Sequence, residues 1–309
     1  MTKIAQNNTN LSKKVSIHGL DVGNATLINH KGLIIDAKIT NNEPLTKANK
    51  FTIDGKTYYL GDGNYDTEFR KADKPNYLNF LFGLLALSTN TTHNCISVGL
   101  PLGQIQTDAS QLTNLIMNNN EKIVRINDEE KTLIIDDLFI APEGVATLSD
   151  DFQGIVIDIG GGTTDVALVV NERGKRKIIN PISIPKGTIK LYDSFANKLI
   201  NKGLDINIED AERILNRGYL YEEGSKDIDF ALDEYNDFTE KLISKLQLNY
   251  NLKIYPISIT GGGGELLYNQ LESRLNTDNK TQNIILQPEP IKANARNFYE
   301  LGLSFFEEE

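Results

Sequence analysis

Ile157-Asp158-Ile159-Gly160-Gly161-Gly162-Thr163-Thr164-Asp165 decides how the rest of the chain is read. Apolar runs flank it, so GIVIDIGGGTTDVALVV, from Gly154 to Val170, reads as strand, glycine-rich turn and strand. Three consecutive glycines weaken a buried β segment unless the backbone must turn sharply or approach a ligand closely. Successive N–H groups in such a turn form a concavity for an anion. Asp158 ends an apolar strand that holds it rigidly, and the hydroxyls of Thr163 and Thr164 add donors for phosphate oxygens. A carboxylate does not itself bind phosphate, so Asp158 implies a bridging cation, and hydrated Mg2+ fits an all-oxygen donor set.

The same arrangement opens the chain. Leu20-Asp21-Val22-Gly23-Asn24-Ala25-Thr26 again places an Asp at the end of an apolar strand, followed by a glycine turn. Alone, a strand–Asp-x-Gly–strand hairpin is equally well an ordinary tight turn. Two of them facing one another across a cleft make a clamp for a nucleoside triphosphate, with Asp21 and Asp158 sharing the cation through water. A third glycine run, Gly261, Gly262, Gly263 and Gly264, leads from the strand Ser258-Ile259-Thr260 into the helix start Glu265-Leu266-Leu267. Free N–H groups and the positive end of the helix dipole favour phosphate or ribose oxygens there. The run has no Gly-Lys-Ser/Thr and no GxGxxG fingerprint, which disfavours the two commonest nucleotide folds.

Working outward, the two turns divide the 309 residues into two halves, as the length also suggests. In the first, VSIHGLDVGNATLI and GLIIDAKIT predict strands, FTIDGKTYYLGDG a hairpin turning at Asp54-Gly55, and YLNFLFGLLAL a buried helix. CISVGLPL and KTLIIDDLFI predict further strands, with a helix from Thr107 to Asn118 between them. In the second half, Ile189, Tyr192, Ala196 and Leu199 lie at helical spacing before Gly203, placed as a C′ glycine. Asn207 with Asp210 forms a variant capping box ahead of another helix, and Tyr235, Phe238, Leu242 and Leu246 line the face of the next. The expected division is a polar tail over 1–14, a first domain over 15–153 and a second over 154–309. A small subdomain is expected at about 36–59 and a helical one at about 189–251.

Composition narrows the function. Lys and Arg total 32 against 42 Asp and Glu, a formal charge of -10, which argues against direct contact with nucleic-acid phosphates. One cysteine excludes an internal disulfide framework and a cysteine zinc site, and three histidines argue against a histidine metal site. No apolar run is long enough to span a bilayer, and the Asn-rich start has no secretory h-region, so a cytoplasmic protein without a membrane partner is expected.

The order of motifs is specific where each alone is weak. DVGNAT, IAPEGVAT (Ile140 to Thr147), DIGGGTTD, ITGGGGELL and KANARNFYELG (Lys292 to Gly302) together resemble the five-motif signature of the actin/Hsp70/sugar-kinase ATPase superfamily. The resemblance spans nearly the whole chain, and YYLGDG and ISVGLPLGQIQTDASQL look like the plasmid-segregating, ParM-like bacterial actins. It implies an α/β actin-like fold of two similar RNase H-like domains, with mixed sheets flanked by helices and a nucleotide cleft between them. It also implies ATP, or GTP, with Mg2+ oriented through water by Asp21 and Asp158. Gly23, Asn24, Ala25, Thr26, Gly160, Gly161, Gly162, Thr163 and Thr164 would hold the phosphates. Gly261 to Gly264 would pass the ribose and α-phosphate. Glu143 would position the attacking water, unless it is an ordinary first-turn glutamate. Asp165 would either assist that water or cap its hairpin. Glu209 and Arg213 lie where relatives contact the base, or form a solvated i,i+4 ion pair.

One departure stands out. Actins carry a lysine on the strand returning from the first turn; the aligned position here is Ile28, and the nearest cation is Lys31. The activity implied is nucleotide hydrolysis coupled to filament assembly, with plasmid DNA moved through an adaptor protein on a centromere-like site. The alternative is a sugar-type small-molecule kinase, for which the chain carries no clear sugar-binding signature.

Overall fold

A computed structural model describes residues 14–45, 48–66, 68–217, 219–221, 225–227, 229–276 and 284–307. The polar tail expected over 1–14 lies almost wholly outside these residues. The chain begins with a run of strands, β1 (Val15–Val22), β2 (Thr26–Asn29), β3 (Ile34–Asp36), β4 (Lys38–Thr40), β5 (Asn49–Ile53), β6 (Lys56–Leu60) and β7 (Asn64–Tyr65). There follow α1 (Tyr77–Ser88), β8 (His93–Leu100), α2 (Ile105–Met117), β9 (Glu121–Ile126) and the long β10 (Glu129–Pro142). The second half holds β11 (Gly154–Ile159), β12 (Thr164–Glu172), β13 (Lys175–Ile184), α3 (Thr188–Asn201), α4 (Ile208–Arg217), β14 (Tyr219–Tyr221), β15 (Ser225–Asp227) and α5 (Asp229–Asn249). It closes with β16 (Ile257–Thr260), α6 (Gly262–Leu275), β17 (Ile284–Leu286) and α7 (Pro290–Glu307).

The two large sheets repeat one plan. The first contains the order β3-β2-β1-β8-β10, the second β13-β12-β11-β16-β17. In both, an antiparallel meander ends on a strand carrying the Asp-x-Gly turn, and two parallel strands extend the sheet beyond it. This internal repetition, mixed sheets flanked by helices, is the expected actin-like architecture. The first sheet continues through β9-β5-β6-β4-β7, because β10 is long enough to pair with β8 at one end and β9 at the other. This extension, the upper region of the first half, is thus a continuation of the main sheet.

Local chemistry explains the elements that frame the site. Tyr77, Phe80, Leu81, Phe82, Leu84 and Leu85 of α1 are wholly buried against the first sheet, as an all-apolar helix must be. α3 ends with Gly203 at φ +87°, and α4 starts on the reciprocal pair Asn207 N–H to Asp210 Oδ2 (3.2 Å) and Asp210 N–H to Asn207 Oδ1 (2.8 Å). β13, rich in Lys and Arg and containing Pro181, escaped sequence reading; it is the edge of its sheet, where charge and proline are tolerated. α7 returns across the first sheet and packs on β1 and β8, so the last helix of the chain ties the second half to the first. No helix among the described residues is long and apolar enough to cross a membrane.

Candidate functional site

The two Asp-x-Gly turns close with the same hydrogen bond. Gly23 N–H donates to the Thr26 carbonyl (3.0 Å), and Gly160 N–H to the Thr163 carbonyl (2.9 Å). They face each other at contact distance: a Cβ on Gly161 would collide with Ala25, and one on Gly162 with the Asn24 side chain. A Cβ on Gly261, which also has φ +82°, would stand 2.5 Å from Asp158 Oδ1. These glycines are what let three backbone turns converge on one point.

The convergence encloses a cleft of about 310 Å3, within the usual size range of a small-molecule site of about 300–1,000 Å3. Of the residues predicted from sequence, Asp21, Gly23, Asn24, Ala25, Thr26, Glu143, Asp158, Gly160, Gly161, Gly162, Thr163, Asp165, Gly261, Gly262 and Gly263 line it. At the far end, the first helical bond of α6 runs from Glu265 N–H to the Gly261 carbonyl (3.2 Å), so the amides of Gly262 to Gly264 precede it at the helix N-terminus.

Several residues fall elsewhere. Thr164 alternates to the other side of β12, where its hydroxyl donates to the Lys186 carbonyl (2.8 Å). Gly264 is buried between the lining residues Gly263 and Glu265 and does not itself line the cleft. Glu209 and Arg213 neither line the cleft nor pair with each other. Glu209 meets Lys38 from the first half (2.9 Å), and Arg213 meets Asp210 (3.4 Å). One turn of α4 presents Glu212 to the cleft instead, beside Tyr192, Leu266 and Ile291. Lys31 does not replace the missing cation: its Nζ donates to the Ser88 carbonyl at the end of α1 (2.9 Å).

The cation comes from a part of the chain that sequence reading passed over. Lys71, in a single 3-10 turn (Lys71–Asp73) before α1, lies with its Nζ 2.5 Å from Glu143 Oε1 and 3.6 Å from Asp21 Oδ1, and donates to the Gly99 carbonyl (3.3 Å). Lys74 donates to the Gly23 carbonyl (3.4 Å) and to Asn24 Oδ1, bracing the first turn from behind. The other unforeseen residue is Asn294 of α7. Its Nδ2 donates to Asp158 Oδ2 (2.8 Å) and its Oδ1 accepts from Gly144 N–H (3.0 Å). Its place in KANARNFYELG was the available signal; no equivalent signal marks Lys71.

Electrostatically the cleft is overcrowded with carboxylates. Burial pushes Asp21 up to about 6, against the pull of Lys71, and pushes Asp165 up to about 7 with Glu143 adding to it. Burial and Glu143 together raise Asp158 well above the carboxylate range, with Asn294 opposing. Lys71 stays charged despite its burial because Glu143 and Asp21 face it. Asp165 Oδ1 accepts from Leu102 N–H (2.8 Å) and from the Ser183 hydroxyl, so that atom is committed to holding the Pro101–Gly103 turn. Such an excess of buried negative charge suits a divalent cation. No three His, Cys, Asp or Glu side chains among the described residues are grouped to ligate an ion directly. Asp21 and Asp158 are oxygen donors of the kind a hydrated divalent ion such as Mg2+ takes.

This two-lobed fold with paired Asp-x-Gly turns is the actin-like fold. Residues 19–145 match the family model for the N-terminal domain of actin-like proteins. Over the whole chain, an archaeal actin homologue superposes with a TM-score of 0.77 at 19% identity, covering 94% of this chain and 99% of that one. The ParM of a 15-stranded filament from Clostridium botulinum gives 0.73 at 19%, covering 94% and 99%. The AlfA filament bound to AMPPNP gives 0.64 at 16%, covering 96% and 99%. The archaeal homologue has also been solved with ADP, and in that form superposes with a TM-score of 0.78 at 18% identity, with the same coverage of both chains. No curated protein matches the chain by sequence.

Proposed function

We propose that the chain is a nucleotide-dependent, filament-forming actin-like ATPase. The observation that carries this reading is the meeting of the two Asp-x-Gly turns, with Glu143 between them and the N-terminus of α6 at the far end of the same cleft. The amides of Gly23, Asn24, Gly160, Gly161 and Gly162 and the hydroxyls of Thr26 and Thr163 are the groups available to phosphate oxygens. Tyr192, Glu212, Leu266 and Ile291 form the end that receives the nucleoside, either adenosine or guanosine. Mg2+, held through water by Asp21 and Asp158, would neutralise charge on the terminal phosphates when bound.

Hydrolysis needs no covalent intermediate. Glu143, only 7% exposed, orients a water for in-line attack on the terminal phosphorus. The oxygen–phosphorus bond forms as the bond to the bridging oxygen breaks. The bridging oxygen's electron pair leaves with the diphosphate, and the water's proton passes through Glu143 to solvent. Because Asp21 and Asp158 belong to different sheets, a ligand that binds both favours the closed arrangement of the halves. A head-to-tail contact that recognises the closed form and does not close on itself builds a filament. The filaments of the superposing ParM and AlfA proteins support this step. Transport of plasmid DNA through an adaptor protein in the cytoplasm is the corresponding biological task. With a net charge of -10, assembly is expected to depend on salt. The test is sedimentation and electron microscopy with Mg2+ and ATP, GTP or ADP, with phosphate release followed in parallel. Absence of nucleotide-dependent polymer across broad salt and protein concentrations refutes the filament reading.

A further inference from the structure

The positive charge in the cleft has an unusual origin. Position 28 pairs with Asp21 across β1 and β2, on the same face, and is an isoleucine. Lys31 is turned away because Asn29 Oδ1 accepts from both Lys31 N–H and Leu33 N–H (3.0 Å each), which folds the β2–β3 turn toward α1. The lysine that enters the cleft is Lys71, 4% exposed, between Asp21 and Glu143. Its turn is anchored on both sides. Arg70 Nε donates to the fully buried Asp108 of α2 (2.9 Å), with a second guanidinium nitrogen on the other carboxylate oxygen. Gln104 accepts from Lys71 N–H (3.2 Å) and donates to the Phe69 carbonyl (2.9 Å). A buried carboxylate and a buried amide thus hold a three-residue turn whose first side chain is aimed at Asp21 and Glu143.

We propose that Lys71 is a catalytic residue supplying the fixed positive charge for the terminal phosphate. Its ammonium lies between Asp21 and Glu143. With a triphosphate bound, the same ammonium pairs with the oxygens of the phosphate that Glu143's water attacks. This rests on the hydrolase reading above and adds to it the origin of the cation. Delivery from the turn joining β7 to α1 also places the charge on the segment that links the upper region to the site, so its position follows that region.

The decisive contrast is between triphosphate and diphosphate. Lys71→Met keeps the stem and removes the charge. Loss of one preorganised donor to the transferred group costs about a hundredfold to a thousandfold in rate. Phosphate release is therefore expected to fall at least a hundredfold. Affinity for a non-hydrolysable ATP analogue should fall at least tenfold more than affinity for ADP, whereas a merely structural role would weaken both alike. Lys71→Met combined with Ile28→Lys, which returns an ammonium to the face of Asp21, should recover part of the triphosphate preference. Wild-type protein gives a reading independent of folding defects. An ATP analogue carrying a pyridoxal aldehyde on its terminal phosphate, fixed by borohydride, should label Lys71, as located by peptide mass spectrometry. Exclusive labelling of another lysine, or a folded Lys71→Met protein with an unchanged preference for triphosphate over ADP, overturns the inference while leaving the hydrolase reading intact. Wild-type protein that binds no nucleotide overturns both.

Discussion

Asn294 offers a test that depends on geometry alone. It is 8% exposed, and one amide group joins three elements: α7, the Glu143–Gly144 turn and the end of β11. Asn294→Ala removes a donor from a buried carboxylate and an acceptor from a buried N–H. A hydrogen bond to a charged group contributes about 1.5–3 kcal/mol, and a buried amide left unpaired costs about 1–3 kcal/mol. Water entering from the cleft recovers part of that, so the net loss is about 2–4 kcal/mol. At about 2–4 °C per kcal/mol for a larger domain, melting falls by roughly 5–15 °C. Asn294→Asp is the sharper variant. It keeps the acceptor for Gly144 but replaces the donor to Asp158 with a second carboxylate, which must either share a proton with Asp158 or repel it. Asn294→Asp should therefore destabilise the protein at least as much as Asn294→Ala at pH 8, and should recover relative to it as the pH falls and a proton becomes available. Thermal melting by circular dichroism at pH 8 and pH 6, without nucleotide, measures both. Asn294→Ala within 1 °C of wild type, or Asn294→Asp as stable as wild type at pH 8, would show that Asn294 does not hold Asp158.

His18 is 2% exposed, and burial, with His30 and Lys31 nearby and only Asn94 opposing, lowers it to about 4. The unfolded chain, at about 6.5, binds the extra proton, so stability is lost as pH falls from about 6.5 toward 4, by roughly 2 kcal/mol at pH 5 from this residue. His18→Leu should lose about that much less between pH 8 and pH 5 in urea unfolding, and an equal loss in both proteins contradicts the assignment. Lys38 bridges the halves through Glu209 and lies 4.4 Å from the centre of the Tyr65 ring, so Lys38→Met should speed release of a fluorescent ADP analogue several-fold in stopped flow; an unchanged rate removes the bridge from control of the cleft. Asp158→Ala should abolish the rise in melting temperature given by Mg2+ and ATP and reduce phosphate release at least a hundredfold. Unchanged ATPase in that variant removes Asp158 from the site.

Legibility followed how local each signal is. The two strand–turn–strand units, the Asn207–Asp210 box and the glycine at 203 are set by residues within a few positions of one another, and the structure realises each. Glu209 and Glu212 differ only in which side of α4 faces inward, and that roll is fixed by Ala211, Ile214 and Leu215 packing in the second core. The resemblance to relatives that contact the base points to Glu209 and Arg213 there, and such a resemblance does not set the roll of the helix. Lys71 lay beyond reach for another reason. Its partners, Asp21, Gly99 and Glu143, are scattered over the first half and meet only once β1, β8 and β10 pair in parallel.

The same convergence explains how the cleft can report its contents. Asp21 and Glu143 are borne by the first sheet and Lys71 by the turn beside it, while Asp158 belongs to the second sheet and is held by Asn294 of a helix packed on the first. Lys71 faces Asp21 and Glu143, with Asp158 and Asp165 raised nearby by burial. That balance is incomplete, because four carboxylates face Lys71, with only Lys74 behind the first turn to add to it, in a low-dielectric space. On the proposed function, cations and triphosphate would change the charge on both sheets at once, and the acidic groups lie on strands, at their ends or at a turn pinned by Asn294. The available response is a rigid adjustment of one half against the other, resisted at the mouth by Lys38–Glu209 and at the base by Asn294. Breaking the first contact should therefore alter the rate of exchange, and breaking the second should alter the stability of the closed form. Opposite outcomes for those two variants would contradict this assignment of the two contacts.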